Sequence, residues 1–333
     1  MTLPTTMRAI DPVLHPGGPE VLVLVERPVP APGRGEVLIL VHAAGVNRPD
    51  VLQRKGRYPM PPGAPTIPGL EVAGEIVALG EGVHRWQMGD RVTALLIGGG
   101  YAEYAVAPEG QCLPIPGALT MVEAASLPET HFTVWKNLVE GAKLCAGDTA
   151  LVHGGTSGIG VTAIQVGSAL GARILVTVGS ASKVQAALKL GAQAAIDYTT
   201  QDFVAEVDRL TQGRGVDIVL DMISADYIPR NLQCLAPAGR HVSIATQHGQ
   251  KAEVDIGLIM RKGLTMTGSM LRPQPIAVKA AIARSLEREV WPLIASGEVR
   301  PVIDRSYRLE DAAEAHARME ASTHVGKIVM EVI

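Results

Sequence analysis

Short apolar runs separated by Gly and Pro clusters fill the first third of the chain. VLVLVERPVP, EVLILVHAAGV and EVAGEIVALGEGV read as strands, and GDRVTALL and GGGYAEYAVAP as two more around a turn. YPMPPGAPTIPG holds too many prolines for a helix or a central strand and reads as a long ordered loop. Loops of that length in a compact domain tend to be functional. From about Met121 the texture alternates: TALVHG, ARILVTVG, AAIDY, VDIVLDMI and RHVSIAT are β-like, while VTAIQVGSALG, SKVQAALKLG and DFVAEVDRLTQG carry helical spacing. The strands lack polar alternation, as a parallel sheet covered on both faces requires. LTMTGSM follows as a further strand, then a long helix around Ile276 to Ser296, a second amphipathic stretch (EDAAEAHARMEAS) and a last strand, GKIVMEVI. The pattern predicts an α/β protein in which a doubly wound domain over 122–270 is inserted into a β-rich domain made of 1–121 and 271–333.

Composition narrows this picture. The 333 residues suffice for two domains, and 47% are hydrophobic although only 3% are aromatic, so the core rests on Val, Leu, Ile, Ala and Met. A net charge of −3 with mixed signs gives no footing for nucleic acid or an acidic membrane surface. The start, MTLPTTMRAI, lacks the apolar stretch of a signal peptide, and no segment reaches the length of a membrane span. Three cysteines, Cys112, Cys145 and Cys234, lie far apart with no CxxC pair; neither zinc nor a disulfide framework is suggested, and a cytoplasmic setting follows.

The chemistry concentrates in LVHGGTSGIG, Leu151 to Gly160. A buried strand entering a Gly-rich turn and then a helix sets backbone N–H groups and a positive helix end beside a pyrophosphate. Gly155, Thr156, Ser157, Gly158, Ile159 and Gly160 form the turn, and its small residues allow close backbone approach. An NAD site carries an acid some 20 residues further on. Here that stretch reads VTVGSASK, with Gly179, Ser180 and Lys183 and no carboxylate. A hydroxyl and an ammonium suit a 2′-phosphate, so the expected cofactor is NADPH. GGTSGIG also resembles the turn of the short-chain dehydrogenases. Those enzymes carry it near the N-terminus with a Tyr-x-x-x-Lys pair, whereas here everything up to Ala150 precedes it and none of the six tyrosines has Lys four positions on.

Over nearly its full length the chain resembles the medium-chain dehydrogenase/reductase superfamily, through HPGGPEVL, GEVLILVHAAGVNRPDVLQRKGRYPMPPGAPTIPGLEVAGEIVALGEGV, GDRV, the turn and GKIVMEV. More narrowly it resembles the zinc-independent quinone oxidoreductases of the zeta-crystallin-like and tumour-suppressor-inducible subgroup, through NRPDVLQRKGRYPMPPGA, LLIGGGYAEY and LPIPGAL. The resemblance implies a GroES-like catalytic domain built from both chain ends, an inserted Rossmann domain, a cofactor in the interdomain cleft and a homodimer joined partly through LTMTGSM. It implies no metal site: zinc-dependent members have Cys where this chain has Asn47, His-Glu at Leu70–Glu71, and Cys within Glu129–Thr133.

The same resemblance places Asn47 near the nicotinamide and the acceptor oxygen, Tyr58 in the substrate pocket, Thr133 by the nicotinamide ribose and Tyr198 by the adenosine phosphate. Ile223, Thr246, Met270 and Leu271 would line the cleft, and Lys327 would reach the cofactor or end a strand. Leu52 stands where zeta-crystallin-like enzymes have a second tyrosine, so the pocket should be more apolar. His131 and His153 read as packing or turn residues. The implied activity is hydride transfer to a quinone, which needs orientation and an oxyanion donor rather than a strong acid. Reduction of activated C=C bonds, in enals or enoyl thioesters, and a non-catalytic NADPH-binding sensor or structural role remain open.

Overall fold

Fifteen strands form among the described residues, which are 3–12, 16–58 and 60–333 of the computed structural model. In chain order they are β1 (Thr6–Ile10), β2 (Leu24–Pro28), β3 (Glu36–Val46), β4 (Glu71–Leu79), β5 (Arg91–Leu95), β6 (Tyr104–Pro108), β7 (Cys112–Pro114), β8 (Thr149–His153), β9 (Arg173–Val178), β10 (Ala194–Asp197), β11 (Val216–Asp221), β12 (Leu235–Ser243), β13 (Thr265–Gly268), β14 (Ile303–Arg308) and β15 (Lys327–Glu331). They belong to two compact units. The first contains Met1–Phe132, Arg272–Gly297 and Pro301–Ile333; the second contains Thr133–Leu271 and Glu298–Arg300. The chain leaves one unit for the other at Phe132/Thr133 and Leu271/Arg272, where sequence texture alone places 121/122 and 270/271.

In the first unit β3 is the organising strand. One edge pairs with β4, and the other is shared: Glu36–Leu40 face β6, and Ala43–Val46 face β15. The sheet runs β14-β15-β3-β4-β5-β7, with β1 and β2 as a separate antiparallel hairpin. Both ends of the chain therefore close one sheet. Its core takes Val37, Ile39 and Val41 from β3, Val72 and Ile76 from β4, and Ile328 and Met330 from β15.

The second unit is a six-stranded parallel sheet in the order β10-β9-β8-β11-β12-β13. Numbered from β8, this is the 3-2-1-4-5-6 order of the doubly wound dinucleotide fold. Ala150 and Val152 of β8 enter one apolar cluster with Ile164, Val176 and Leu220, while Leu151 enters another with Leu175, Phe203 and Leu232. Both faces are covered, which explains the strands without polar alternation. No helix among the described residues is long and apolar enough to cross a membrane.

Two readings of the pattern need correction. The helix expected around Ile276 to Ser296 is two helices, Ile276–Glu289 and Trp291–Ala295, broken at Val290. Pro292 is the cause: it supplies no N–H to the preceding turn and its ring cannot follow a helical carbonyl, so it starts a new helix instead. The helices Tyr227–Cys234 and Ile256–Lys262, and a π-helical turn at Trp135–Gly141, lie in stretches too short to show a period.

Candidate functional site

In the second unit every residue nominated for cofactor binding lies at or just beyond the carboxyl end of a parallel strand or within the helix turn that follows, except Thr133. Gly155–Gly160 follow β8, Gly179, Ser180 and Lys183 follow β9, and Tyr198 follows β10. Ile223 follows β11, Thr246 lies beyond β12, and Met270 and Leu271 lie beyond β13. Open parallel sheets bind ligands at this edge, at the point where strand order reverses. Here that point is between β8 and β11.

The turn after β8 is built tightly. Ser157 caps the helix Gly158–Ala169 by accepting from Gly160 N at 3.1 Å, and Gly154 and Gly155 both donate to Thr177 O. A side-chain carbon on Gly160 would fall 2.5 Å from Gly155 C, and one on Gly155 would fall 2.5 Å from Val176 Cγ2. These two glycines therefore let the turn pack against its own helix and the neighbouring strand, the close approach a phosphate-binding turn at a helix start requires. Ser180 caps the helix Ala181–Lys189 and fixes Lys183, whose N–H it accepts at 3.3 Å. Tyr198 is 47% exposed, and its hydroxyl lies 2.7 Å from where a Gly179 side chain would begin, so glycine is needed for the ring to lie there.

A buried carboxylate holds the β11 end of this edge. Asp221 Oδ1 accepts from Ile223 N at 2.6 Å and Ser224 N at 3.1 Å, and Oδ2 accepts from Asn231 Nδ2 at 3.0 Å. Since Asn231 Nδ2 is the donor there, its Oδ1 accepts from His153 Nε2 at 2.8 Å, and His153 Nδ1 accepts from Thr177 at 2.9 Å. His153 is thus a structural residue of the sheet. His131, in the first unit, bonds Leu127 O through Nδ1 at 2.7 Å, and burial pushes its pKa down to about 4.

The first unit contains a buried polar centre around Lys327. The β3–β15 register sets Ile328 opposite Val46, and this brings Lys327 beside Asn47. The ammonium donates to Asn47 Oδ1 at 2.5 Å, Glu71 Oε1 at 2.6 Å and Val46 O at 3.2 Å, so its three protons are all used. Glu71 Oε1 also accepts from Asn47 Nδ2 at 2.8 Å, and Oε2 accepts from Glu129 N at 2.8 Å. Gly45 permits this: a side-chain carbon there would lie 2.6 Å from Glu71 Cδ and 2.8 Å from Ala125 O. Lysine can only donate and a carboxylate only accept, so the Asn47 amide has one possible orientation. Its second N–H has no partner among the described residues. By position Asn47 caps the helix Arg48–Arg54, and Asp50 closes the return half of the capping box by accepting from Asn47 N at 2.8 Å.

Other groups surround this centre. Asp50 is fully buried, accepts also from Gly69 N and Tyr101, and burial raises its pKa to about 6. Glu129 is raised from an ordinary 4.5 to about 8, first by burial and then by the Glu71 charge. Tyr58 is half-buried under the Arg272 guanidinium, 5.3 Å from the ring centre, and burial pushes its phenol up to about 12.

The structure joins Asn47 and Lys327 directly and leaves Tyr58 without a hydrogen bond to either. Thr133 is buried at the start of the second unit, where its carbonyl accepts from Asn137 Nδ2 at 2.8 Å. Sequence reading missed the parts of Glu71, Glu129, Asp50 and Arg272. Only Gly45 hints at them, as a glycine inside an apolar strand, a common mark of a close approach.

Two family descriptions match: Alcohol dehydrogenase GroES-like domain over residues 33–117 and Zinc-binding dehydrogenase over 190–330. The chain is 33% identical over 327 residues to the quinone oxidoreductase of Rattus norvegicus, covering 97% of each. Among solved structures, the Escherichia coli quinone oxidoreductase complexed with NADPH aligns with a TM-score of 0.86 at 30% identity, over 98% of this chain and 100% of that one. The native structure of mycobacterial Rv1454c complexed with NADPH aligns with a TM-score of 0.87 at 31% identity, over 98% and 100%. Zinc does not fit the first unit's polar centre. Asn47 Oδ1 and both Glu71 oxygens are already used, Glu129 turns its N–H inward, and the ammonium at the centre repels a second cation.

Glu129 gives a pH test. Its carboxyl holds a proton in the folded protein that the unfolded chain has lost, so its contribution is complete below 4.5 and is lost as pH rises to about 8. Relative to Glu129→Gln, the wild-type protein should lose about 1.4 kcal/mol of stability per pH unit across that window and level off above it. Urea unfolding of both proteins at pH 5, 6, 7 and 8 measures this, and parallel curves would contradict it.

Proposed function

This chain belongs to the quinone oxidoreductase family of the medium-chain dehydrogenase/reductase superfamily, and we propose that it is an NADPH:quinone reductase. One observation carries the reading. The Asn47 amide is locked by Lys327 and Glu71 with one N–H unspent, which supplies a pre-oriented donor for the oxygen that gains charge when an acceptor is reduced. A quinone needs little more, because its reduced anion is delocalised.

NADPH, when bound, supplies the hydride. Gly155, Thr156, Ser157, Gly158, Ile159 and Gly160 would hold its pyrophosphate, and Ser180 and Lys183, with Gly179 and Tyr198, its 2′-phosphate. Ile223, Thr246, Met270 and Leu271 line the same sheet edge, and Thr133 serves the nicotinamide ribose. Tyr58 offers a phenol that stays protonated. Lys327 acts through Asn47, because its protons are already used. We place the enzyme in the cytoplasm, a setting supported by three free cysteines.

The protein is further proposed to be a homodimer. β13 is an edge strand with all four residues exposed, Met266 among them at 41%, and Met260 and Met270, before and after it in the chain, are 77% and 47% exposed. An open apolar edge of this kind favours pairing with a second copy. Light scattering after size exclusion should give twice the 35.0 kDa chain mass, and a Met266→Lys variant should elute as monomer. A monomeric wild type would refute the dimer.

The activity is tested by following NADPH oxidation with ortho- and para-quinones, enals and an enoyl thioester in parallel. Turnover of quinones is expected; turnover of enals or thioesters alone would replace the reading by C=C reduction, and tight NADPH binding with no turnover would indicate a sensor. Lys183→Ala should weaken NADPH about tenfold to a hundredfold and NADH by far less. Equal weakening of both would refute the phosphate assignment.

A further inference from the structure

Arg272 is 5% exposed, and its Nε donates to Ile97 O at 2.8 Å, but Nη1 and Nη2 are buried without a hydrogen-bond partner. Unsatisfied charged donors are costly in a protein interior, and few are left so without a ligand to meet them. The surroundings do not neutralise them. Asp50 acts on Arg272 only at a distance, since its oxygens are taken by Asn47 N, Gly69 N and Tyr101. Glu129, the other nearby carboxyl, is pushed by burial toward its neutral form. Lys279, itself only 3% exposed, donates to the Arg272 carbonyl oxygen at 3.2 Å and adds a second positive charge.

Beside these cations lies a cavity of about 630 Å³ within the first unit, lined by Pro65, Ile67, Ile97, Gly98, Ile276 and Lys279 among others. Arg272 Nη2 lies 3.1 Å from the point where a Gly98 side chain would begin, with Pro65 Cγ at the same distance. Gly98 thus keeps open the approach from an apolar chamber to a guanidinium fork. Two adjacent N–H groups of a planar fork match the two oxygens of a carboxylate. A neutral carbonyl would satisfy one donor and leave the charge buried and unopposed.

We propose that Arg272 and Lys279 form a subsite for a carboxylate carried on an apolar body seated in this cavity. As a subsite for the acceptor it rests on the reductase reading above; as a binding site it does not. The probes are 2-naphthoate and its methyl ester, titrated calorimetrically into the full-length protein. The wild type should bind the acid about tenfold or more tightly than the ester, the effect of one charge-assisted bond. Arg272→Gln should bring the ratio close to one, and Lys279→Met should lower it; the second variant keeps the test decisive if the first does not fold. Equal binding of acid and ester by the wild type, or a preference that survives in the variants, would overturn the proposal. Quinone turnover is measured on the same samples. Its absence removes the reductase reading while the binding ratio still decides the subsite, and turnover without an acid preference removes the subsite alone.

Discussion

The ammonium of Lys327 is the constraint from which the first unit's chemistry follows. It has three protons and three acceptors: the amide of Asn47, the carboxylate of Glu71 and the carbonyl of Val46. A charge this deeply buried is tolerable only with such complete pairing, and removing one partner of a buried pair costs about 3–5 kcal/mol. The register of β15 against β3 therefore matters to more than the sheet, because a one-residue slip would turn Lys327 away from Asn47 and carry every β15 side chain to the other face. Gly45 completes the arrangement by leaving a path for Glu71 across β3. With Asn47 so employed, Asp50 takes over the return bond at the helix start, and Tyr101 and Gly69 N are drawn in behind it.

The second unit solves a different problem. Its six strands end along one edge, and each terminal loop must be held there without a side chain in the way. At β8 the turn's glycines allow it to lie on its own helix and on β9. At β11 one buried carboxylate, Asp221, gathers two loop N–H groups, Asn231 and His241, and through Asn231 fixes the tautomer of His153. Ser224 and Ala225 have positive φ values of 63° and 50°, a backbone cost borne where the loop leaves the sheet. The network gives Ile223 a defined place at the edge through its backbone: its N–H donates to Asp221 and its carbonyl accepts from His248 N.

How much of this can be read from the chain depends on the range of the signal. Strands, turns and the doubly wound alternation rest on periods and punctuation a few residues long, and the cofactor turn is one continuous segment, so all of these were legible. Lys327 was expected to reach the cofactor or end a strand, and its pairing with Asn47 and Glu71 was not legible, because these partners are far away in sequence and no local pattern records it. The resemblance points to Asn47 as a site residue, but only the structure shows that Lys327 and Glu71 are what hold its amide. Glu129 looks like an ordinary first-turn acid until burial and the Glu71 charge are placed around it. Pro292 is the opposite case, a local signal that was visible and outweighed by the apolar spacing on either side.

Glu71 and Glu129 belong to one centre but have unlike partners. Glu71 has a lysine in hydrogen-bond contact and accepts a backbone N–H besides, so its charge is matched at every lone pair that faces inward. Glu129 begins the chain segment that supplies that N–H, yet its own carboxyl receives nothing comparable and lies in the field of Glu71; a proton is its cheapest partner. Glu71 fixes the Asn47 donor, and Glu129 is pushed by burial toward its neutral form. On the proposed reductase reading, the amide N–H held by Lys327 and Glu71 is the group that would meet the charge an acceptor gains, and a donor of that kind suffices best for an acceptor that is itself easily reduced.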